Sequence, residues 1–358
     1  MKTVKVLVVD DSAFSRRSIS TMLEGMQGVR VVGYAVDGEE GIRQTISLKP
    51  DLVTLDLEMP RMDGFTLLRI LTSRFNMPVI VVSALSKADK VFKALELGAV
   101  DFVAKPSAEA SPDLMLISND LQYKVRQAVK ARVKGFATEN IPQSHRAPNL
   151  PTAGLFPAKR ELQLVAIAAS TGGPPALQSI FASFDQPLPF GIVVAQHMPP
   201  GFTAAFSERL NKATGFEVKE AAEGDVVKPG IALVAPGGKN MVLEESAGTI
   251  SVKLLPPPPD KRYIPSADEL ICSCSAIYGS RMMAVVLTGM GNDGAAGVKA
   301  VKSAGGMVIA ESERSSVVYG MPREAYATGC VDMVADLVDI PDEIIRCSGL
   351  KKSALKQQ

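Results

Sequence analysis

Gly191-Ile-Val-Val-Ala-Gln-His197-Met-Pro-Pro-Gly-Phe202 is an apolar run that ends on one of only two histidines in 358 residues. The run predicts a buried strand of a parallel sheet, because such strands are covered on both faces and lose polar alternation. Its histidine then falls at the carboxyl end, where open α/β sheets place their ligands. Imidazole is the side chain best suited to proton transfer near neutral pH. The run alone fits a hydrogen-bonded core histidine equally well, so the other strands of the chain must decide.

Strand–helix alternation extends to both sides of this run. In the first part, Val4–Val9, Val29–Ala35, Leu52–Leu55, Pro78–Val82 and Val100–Val103 read as strands. Ser15–Met26, Glu39–Leu48, Phe65–Arg74, Ala88–Leu97 and Asp113–Arg132 read as helices. Five β/α units in order imply a doubly wound parallel sheet. Periodicity stops over residues 134–160, a stretch with Pro142, Pro148, Pro151 and Pro157 that reads as an exposed linker. The second histidine, His145, lies in it and is expected to be solvated. A second α/β region follows, with strands at Leu164–Ala169, Met283–Leu287 and Met307–Ala310 besides the His197 strand. Its helices are Pro174–Phe184, Ala204–Lys212, Ser266–Tyr278, Gly294–Ser303 and Pro341–Arg346, and Met241–Glu245 with Thr249–Leu255 reads as a hairpin. The expected organisation is a domain over 1–133, a linker over 134–160 and a second domain over 161–348.

A hydrophobic content of 46% is ample for two cores, and a net charge of +1 gives no electrostatic footprint for nucleic acid. Cys272 and Cys274 lack metal-ligand spacing and, with Cys330 and Cys347, are expected to be reduced thiols. The N-terminus runs straight into a strand without the features of a signal peptide. No apolar stretch approaches the roughly 20 residues of a membrane span. The expectation is a cytoplasmic, monomeric protein with no membrane insertion and no nucleic-acid partner.

Asp10 and Asp11 end the first strand and Asp56 ends the third. Carboxylates delivered to one crevice repel one another unless a cation joins them, and Mg²⁺ suits such an oxygen set. Ser83 ends the fourth strand and Lys105 follows the fifth, so a hydroxyl and an ammonium share that rim. Each aspartate taken singly also reads as a turn former or helix cap. Val-Leu-Val-Val-Asp10-Asp11-Ser, Asp56-Leu-Glu-Met-Pro-Arg-Met-Asp-Gly, Val-Ser83-Ala and Val-Ala-Lys105-Pro resemble the receiver domain of response regulators. The resemblance covers about residues 1–132. It implies a flavodoxin-like fold, phosphorylation on Asp56, and Mg²⁺ held by Asp10, Asp11 and Asp56. It further implies that Ser83 and Lys105 contact the phosphoryl group and that Phe102 is the aromatic whose packing changes with the switch.

In the second region, Ala169-Ser170-Thr-Gly-Gly-Pro174 joins the first strand to the first helix. Ser170 reads either as a nucleophile at the rim that holds His197 or as a helix cap; the Gly-x-Ser-x-Gly elbow is absent. Asp293, in Thr288-Gly-Met-Gly-Asn-Asp293-Gly, again stands near a strand's carboxyl end. An acid there can orient the imidazole that takes a proton from serine, or cap helix Gly294–Ser303, or do both. The Gly289–Gly291 segment can present a main-chain N–H to an oxyanion.

Ser170-Thr-Gly-Gly, Gln196-His197-Met-Pro-Pro-Gly-Phe, Val234-Ala-Pro-Gly-Gly, Leu287–Gly297 and Tyr319–Ala325 resemble the catalytic domain of the chemotaxis protein-glutamate methylesterases. With a receiver ahead of it, the chain is similar to the CheB family of phosphorylation-activated methylesterases. The resemblance implies a Rossmann-like second domain with Ser170 as nucleophile, His197 as base and acid, Asp293 as its orienter and the Met290 N–H in the oxyanion hole. It implies methyl-accepting chemoreceptors as substrate, deamidation of receptor glutamines, a CheA-type histidine kinase as phosphodonor, and no cofactor for ester hydrolysis. Ala168 and Ile264 stand where many members have glycine and arginine; the first is expected to be harmless, the second to affect substrate contacts. Two other classes compete: an output domain that only binds a partner, and a DNA-binding regulator, which the neutral charge argues against.

Overall fold

A computed structural model of the chain describes residues 3–84, 88–106, 112–129, 161–258 and 263–350. The expected linker over 134–160, with His145, lies outside the described residues. The N-terminal sheet holds strands β1 (Val4–Val9), β2 (Val29–Ala35), β3 (Leu52–Leu55), β4 (Val79–Ala84) and β5 (Asp101–Lys105) in the order β2-β1-β3-β4-β5, all parallel. That is the flavodoxin-like order, whose switch point lies between β1 and β3. Helices α1 (Ala13–Glu24), α2 (Gly38–Leu48), α3 (Gly64–Phe75), α4 (Ala88–Glu96) and α5 (Ser118–Ala128) alternate with the strands. Ser12, Asp37 and Asp63 start α1, α2 and α3 by accepting a main-chain N–H three residues on.

The single helix expected over Asp113–Arg132 divides into a 3-10 segment, Pro112–Ile117, and α5, with residues beyond 129 outside the described set. Leu114 and Ile117 both turn into the core, and a three-residue spacing is eclipsed in a 3-10 turn.

Among the described residues, the second sheet has seven parallel strands. They are β6 (Leu164–Ala169), β7 (Gly191–Gln196), β8 (Glu217–Glu220), β9 (Ile231–Val234), β12 (Met282–Val286), β13 (Met307–Glu311) and β14 (Met333–Ala335). A hairpin of β10 (Asn240–Ser246) and β11 (Thr249–Leu255) stands apart from them, as its alternation and Ala247-Gly248 turn require. The sheet order is β14-β13-β12-β6-β7-β9-β8. From β6 the chain first builds one edge and then, starting at β12, the other, which puts a switch point between β6 and β12. Every residue of β6, β7 and β12 is buried, as their unbroken apolar runs require. Helices α6 (Gly173–Ala182), α7 (Thr203–Asn211), α8 (Ala267–Tyr278), α9 (Ala295–Ser303), α10 (Met321–Ala327) and α11 (Ile340–Ser348) cover the sheet. The short β8, β9 and β14 carry no clear sequence signal: in β8 only Val218 is buried.

The two sheets share one apolar boundary. The Phe92 ring of α4 lies on Phe206 of α7 at 5.4 Å, and Phe102 of β5 lies 4.7 Å from Phe202. Arg209 of α7 pairs with Glu96 at the end of α4. The face of the N-terminal domain formed by α4, β5 and α5 therefore meets the carboxyl-end side of the second sheet.

Candidate active site

Three neighbouring strands build the site. β6 lies between β7 and β12, so the residues just past their ends are adjacent. The His197 N–H donates to Ala169 O at 3.0 Å, and the Ser170 N–H donates to Thr288 O at 3.0 Å. Ser170 thus sits between the His197 segment and the Thr288 segment. Its carbonyl accepts from Gln196 Nε2 at 3.0 Å and from the Gly173 N–H at 2.7 Å. Gly172 turns the chain with φ +77° into α6, and a side chain there would overlap Val317. Glycine is needed for that close approach.

Asp293 returns over this crevice. Its Oδ2 lies 2.8 Å from His197 Nε2 and accepts the Ala267 N–H at 2.7 Å. Its Oδ1 accepts the Asp268 N–H at 2.9 Å and the Ser266 hydroxyl at 3.2 Å. The carboxylate therefore occupies the N-terminus of α8, where unpaired N–H groups and the helix dipole favour an anion. Burial opposes its ionisation, but the bonds from His197, Asp268 and Ala267 outweigh burial and hold its pKa below the usual carboxylate value. The alternative reading, that Asp293 caps the helix after it, is not what the structure shows. Asp268 does that, accepting the N–H groups of Gly294 and Gly297 at 2.9 and 2.8 Å. The two acids have exchanged helices.

Because a carboxylate only accepts, His197 Nε2 carries the proton of this pair. Nδ1 is then the basic nitrogen, and it is buried with no hydrogen-bond partner among the described residues. Tyr263 stacks on the imidazole at 5.1 Å with an interplanar angle of 16°. Its hydroxyl lies 3.3 Å from that of Tyr123 in α5 and abuts Gly291, where a side chain would overlap it. Tyr263 was not legible as a site residue, because a lone tyrosine beside Ile264-Pro265 has no periodic neighbours.

Met290 follows Gly289 at the rim of a cleft of about 1020 Å³, which Val318, Arg323 and, from α5, Gln127 also line. Ala168 is buried in β6 opposite Ala195, so its methyl group is accommodated.

In the N-terminal domain, the carboxylate oxygens of Asp10, Asp11 and Asp56 lie within 4.8 Å of one another. Lys105 Nζ is 2.8 Å from Asp10 Oδ2 and 2.5 Å from Asp56 Oδ2. Burial raises the Asp10 carboxyl above its ordinary value, and Lys105 only partly offsets it. Burial also works to lower the Lys105 ammonium, but the two carboxylates outweigh it and raise it. Three acids against one ammonium form a hard oxygen set with surplus negative charge, which fits a divalent cation. Ser83 is buried at the end of β4 on the same rim. Phe102, the second residue of β5, lies 4.7 Å from Phe202 at the domain boundary.

A flavodoxin-like domain with an acidic rim, joined to an α/β domain whose serine, histidine and aspartate share one crevice, defines a response regulator with an enzyme as its output. Comparisons with known proteins agree. The family model for the CheB methylesterase matches residues 165–344, and that for the response regulator receiver domain matches residues 6–115. The chain is 49% identical to protein-glutamate methylesterase/protein-glutamine glutaminase 3 of Geobacter sulfurreducens, over 98% of this chain and 99% of that protein. It is 47% identical to protein-glutamate methylesterase/protein-glutamine glutaminase 1 of Myxococcus xanthus, over 94% and 95%. The crystal structure of the Thermotoga maritima CheB methylesterase catalytic domain matches with a TM-score of 0.50 and 39% identity, covering 52% of this chain and 98% of that one. The chain belongs to the CheB methylesterase family, and it is a hydrolase governed by a receiver domain. Among the described residues, no helix is long and apolar enough to cross a membrane.

Proposed function

We propose that this chain hydrolyses glutamate γ-methyl esters on chemoreceptors, and deamidates receptor glutamines, by acyl transfer through Ser170. The His197–Asp293 bond carries the reading, because it leaves Nδ1 as the open base at the strand end next to Ser170. Ser170 Oγ attacks the ester carbonyl as Nδ1 accepts its proton, and the tetrahedral oxyanion is met by the Met290 N–H. The imidazolium, stabilised by Asp293, returns the proton to departing methanol. Water then cleaves the acyl-enzyme, with His197 again as base. Ammonia replaces methanol as leaving group in deamidation.

Control comes from Asp56. Asp10, Asp11 and Asp56 would hold Mg²⁺, which neutralises charge during phosphoryl transfer from a CheA-type histidine kinase. Lys105, which pairs with Asp56, and Ser83 on the same rim would contact the phosphoryl oxygens. The unphosphorylated receiver lies against the active-site side of the second domain, through Phe102 on Phe202 and Tyr123 on Tyr263. Phosphorylation shifts the population away from this arrangement, with Phe102 repacking as it does so. The working unit is a cytoplasmic monomer with a receiver over 1–133, a linker over 134–160 and a catalytic domain over 161–348. It needs neither nucleic acid nor membrane insertion.

The test is methanol release from methyl-labelled receptor by wild type and Ser170→Ala, with and without a small phosphodonor. Hydrolysis that depends on Ser170 and rises with phosphodonor supports the proposal. Full activity in Ser170→Ala would favour an output domain that acts without this nucleophile.

A further inference from the structure

Glu311, the last residue of β13, is fully buried, and nothing in the acyl-transfer chemistry uses it. Its Oε2 accepts the Thr288 N–H at 2.7 Å, and its Oε1 accepts the Ser315 hydroxyl at 2.8 Å. Among the described residues no cationic group compensates it, and burial pushes its carboxyl up to about 7. A buried acid of this kind costs stability, and an apolar side chain would fill the same space without that cost. What such a residue supplies that an apolar one cannot is the acceptor for the group it holds.

That group is the main chain of Thr288. The β12–β13 ladder ends at the Val286–Ala310 pair, so past that point the ladder offers the Thr288 N–H no further strand partner. The Glu311 side chain continues the pairing. Every other polar group of Thr288 is committed to the site. Its carbonyl accepts the Ser170 N–H at 3.0 Å. Its hydroxyl donates to Thr171 O at 2.9 Å and accepts the Val318 N–H at 3.0 Å. The next residue, Gly289, is pinned on its carbonyl by the N–H groups of Gly320 and Met321 at 3.1 and 2.8 Å. Thr288 is therefore the joint between the Ser170 loop and the Gly289–Met290 segment. The Ser315 hydroxyl that donates to Glu311 itself accepts the Leu337 N–H at 3.0 Å, which anchors the carboxyl from behind.

We propose that Glu311 is a positioning residue for the hydrolysis: by accepting the Thr288 N–H it holds the oxyanion segment and the Ser170 loop in one register. This rests on the assignment of Ser170 as nucleophile and of the Met290 N–H as oxyanion donor. A neutral acceptor serves as well as an acid, so Glu311→Gln preserves the arrangement, whereas Glu311→Leu removes the acceptor and leaves no cavity. Displacing a reacting group by an ångström costs about 100-fold in rate, and a partial shift costs less.

The experiment uses the full chain with saturating small phosphodonor and a methyl-esterified receptor fragment. Glu311→Leu is expected to lose about 10- to 100-fold in kcat with KM within twofold. Glu311→Gln is expected to stay within twofold of wild type in both. Should the leucine variant not fold, Glu311→Ala carries the same expectation. Ser170 labelling by a fluorophosphonate is followed in parallel, with slower labelling expected in the leucine variant. Wild-type kcat in the leucine or alanine variant overturns the proposal, as does a glutamine variant that fails as badly. If wild type is not labelled at Ser170, the nucleophile assignment falls and takes the proposal with it. Normal labelling of Ser170 at wild-type rate in Glu311→Leu overturns the positioning role alone.

Discussion

The hydroxyl of Thr171 donates to the carboxylate of Asp101, which joins the neighbour of Ser170 to the neighbour of Phe102 across the domain boundary. Asp101 opens β5 of the receiver and is also met by Lys124 of α5 at 3.5 Å. Under the proposed control, a change in β5 or at Phe102 would reach the Ser170 loop through this hydrogen bond. A buried hydrogen bond to a charged group is worth about 1.5–3 kcal/mol. Under the proposed control, Asp101→Ala should raise basal methylesterase activity about tenfold and shrink the stimulation by phosphodonor. Methanol release without phosphodonor reads this directly; an unchanged basal rate would remove Thr171–Asp101 from the control path.

Asp293→Asn should lower kcat by about 10⁴-fold, because an amide on Nε2 no longer fixes the tautomer with Nδ1 as base. His197→Ala should lose at least as much. Both variants should still accept phosphate on Asp56, since the acidic rim lies in the other domain. Phosphorylation followed by mass spectrometry alongside methanol release separates the two effects. A variant that loses both functions would indicate misfolding.

Asp56→Asn should keep the basal esterase rate and show no rise with phosphodonor. Chelating divalent cations should likewise abolish phosphorylation of wild type while leaving basal ester hydrolysis unchanged. Activation that persists in Asp56→Asn would move the phosphorylation site elsewhere.

The Glu311 carboxyl gives a pH signature with a definite sign. Its folded value is raised to about 7, above that of an unfolded glutamate. Its contribution to stability is therefore fully present below the unfolded value and is lost as pH rises through about 7. At pH 8 the ionised wild type is disfavoured by about 3 kcal/mol. Glu311→Gln does not ionise, so its melting temperature should exceed that of wild type at pH 8, with the gap narrowing toward pH 5. An equal gap at both pH values would mean that Glu311 is not the titrating group. Asp293 has the opposite sign: its lowered value supports stability above the unfolded carboxylate range and loses it in acid.

Much of the site could be read from strand ends. Apolar runs such as Leu164–Ala169 and Gly191–Gln196 have no solvent-facing residues, so their identity as central parallel strands follows from composition alone. Ser170, His197, Asp10 and Asp56 then fall at the carboxyl rim by chain order. Edge pieces such as β8 and β14 were not legible, because short strands with one buried residue leave no pattern.

By itself the sequence determined which side chains reach the two rims, since a residue's distance from the end of its own strand is a local property. Only the tertiary structure decided what each one meets there. The crossing of Asp293 to α8 and Asp268 to α9 depends on how two loops 25 residues apart return to one helix pair. The Glu311–Thr288 bond depends on where the β12–β13 ladder stops, and the Thr171–Asp101 bond on how two domains dock. These partners are separated by 23 and 70 residues, and pairings over such spans are set by sheet order and packing rather than by local periodicity.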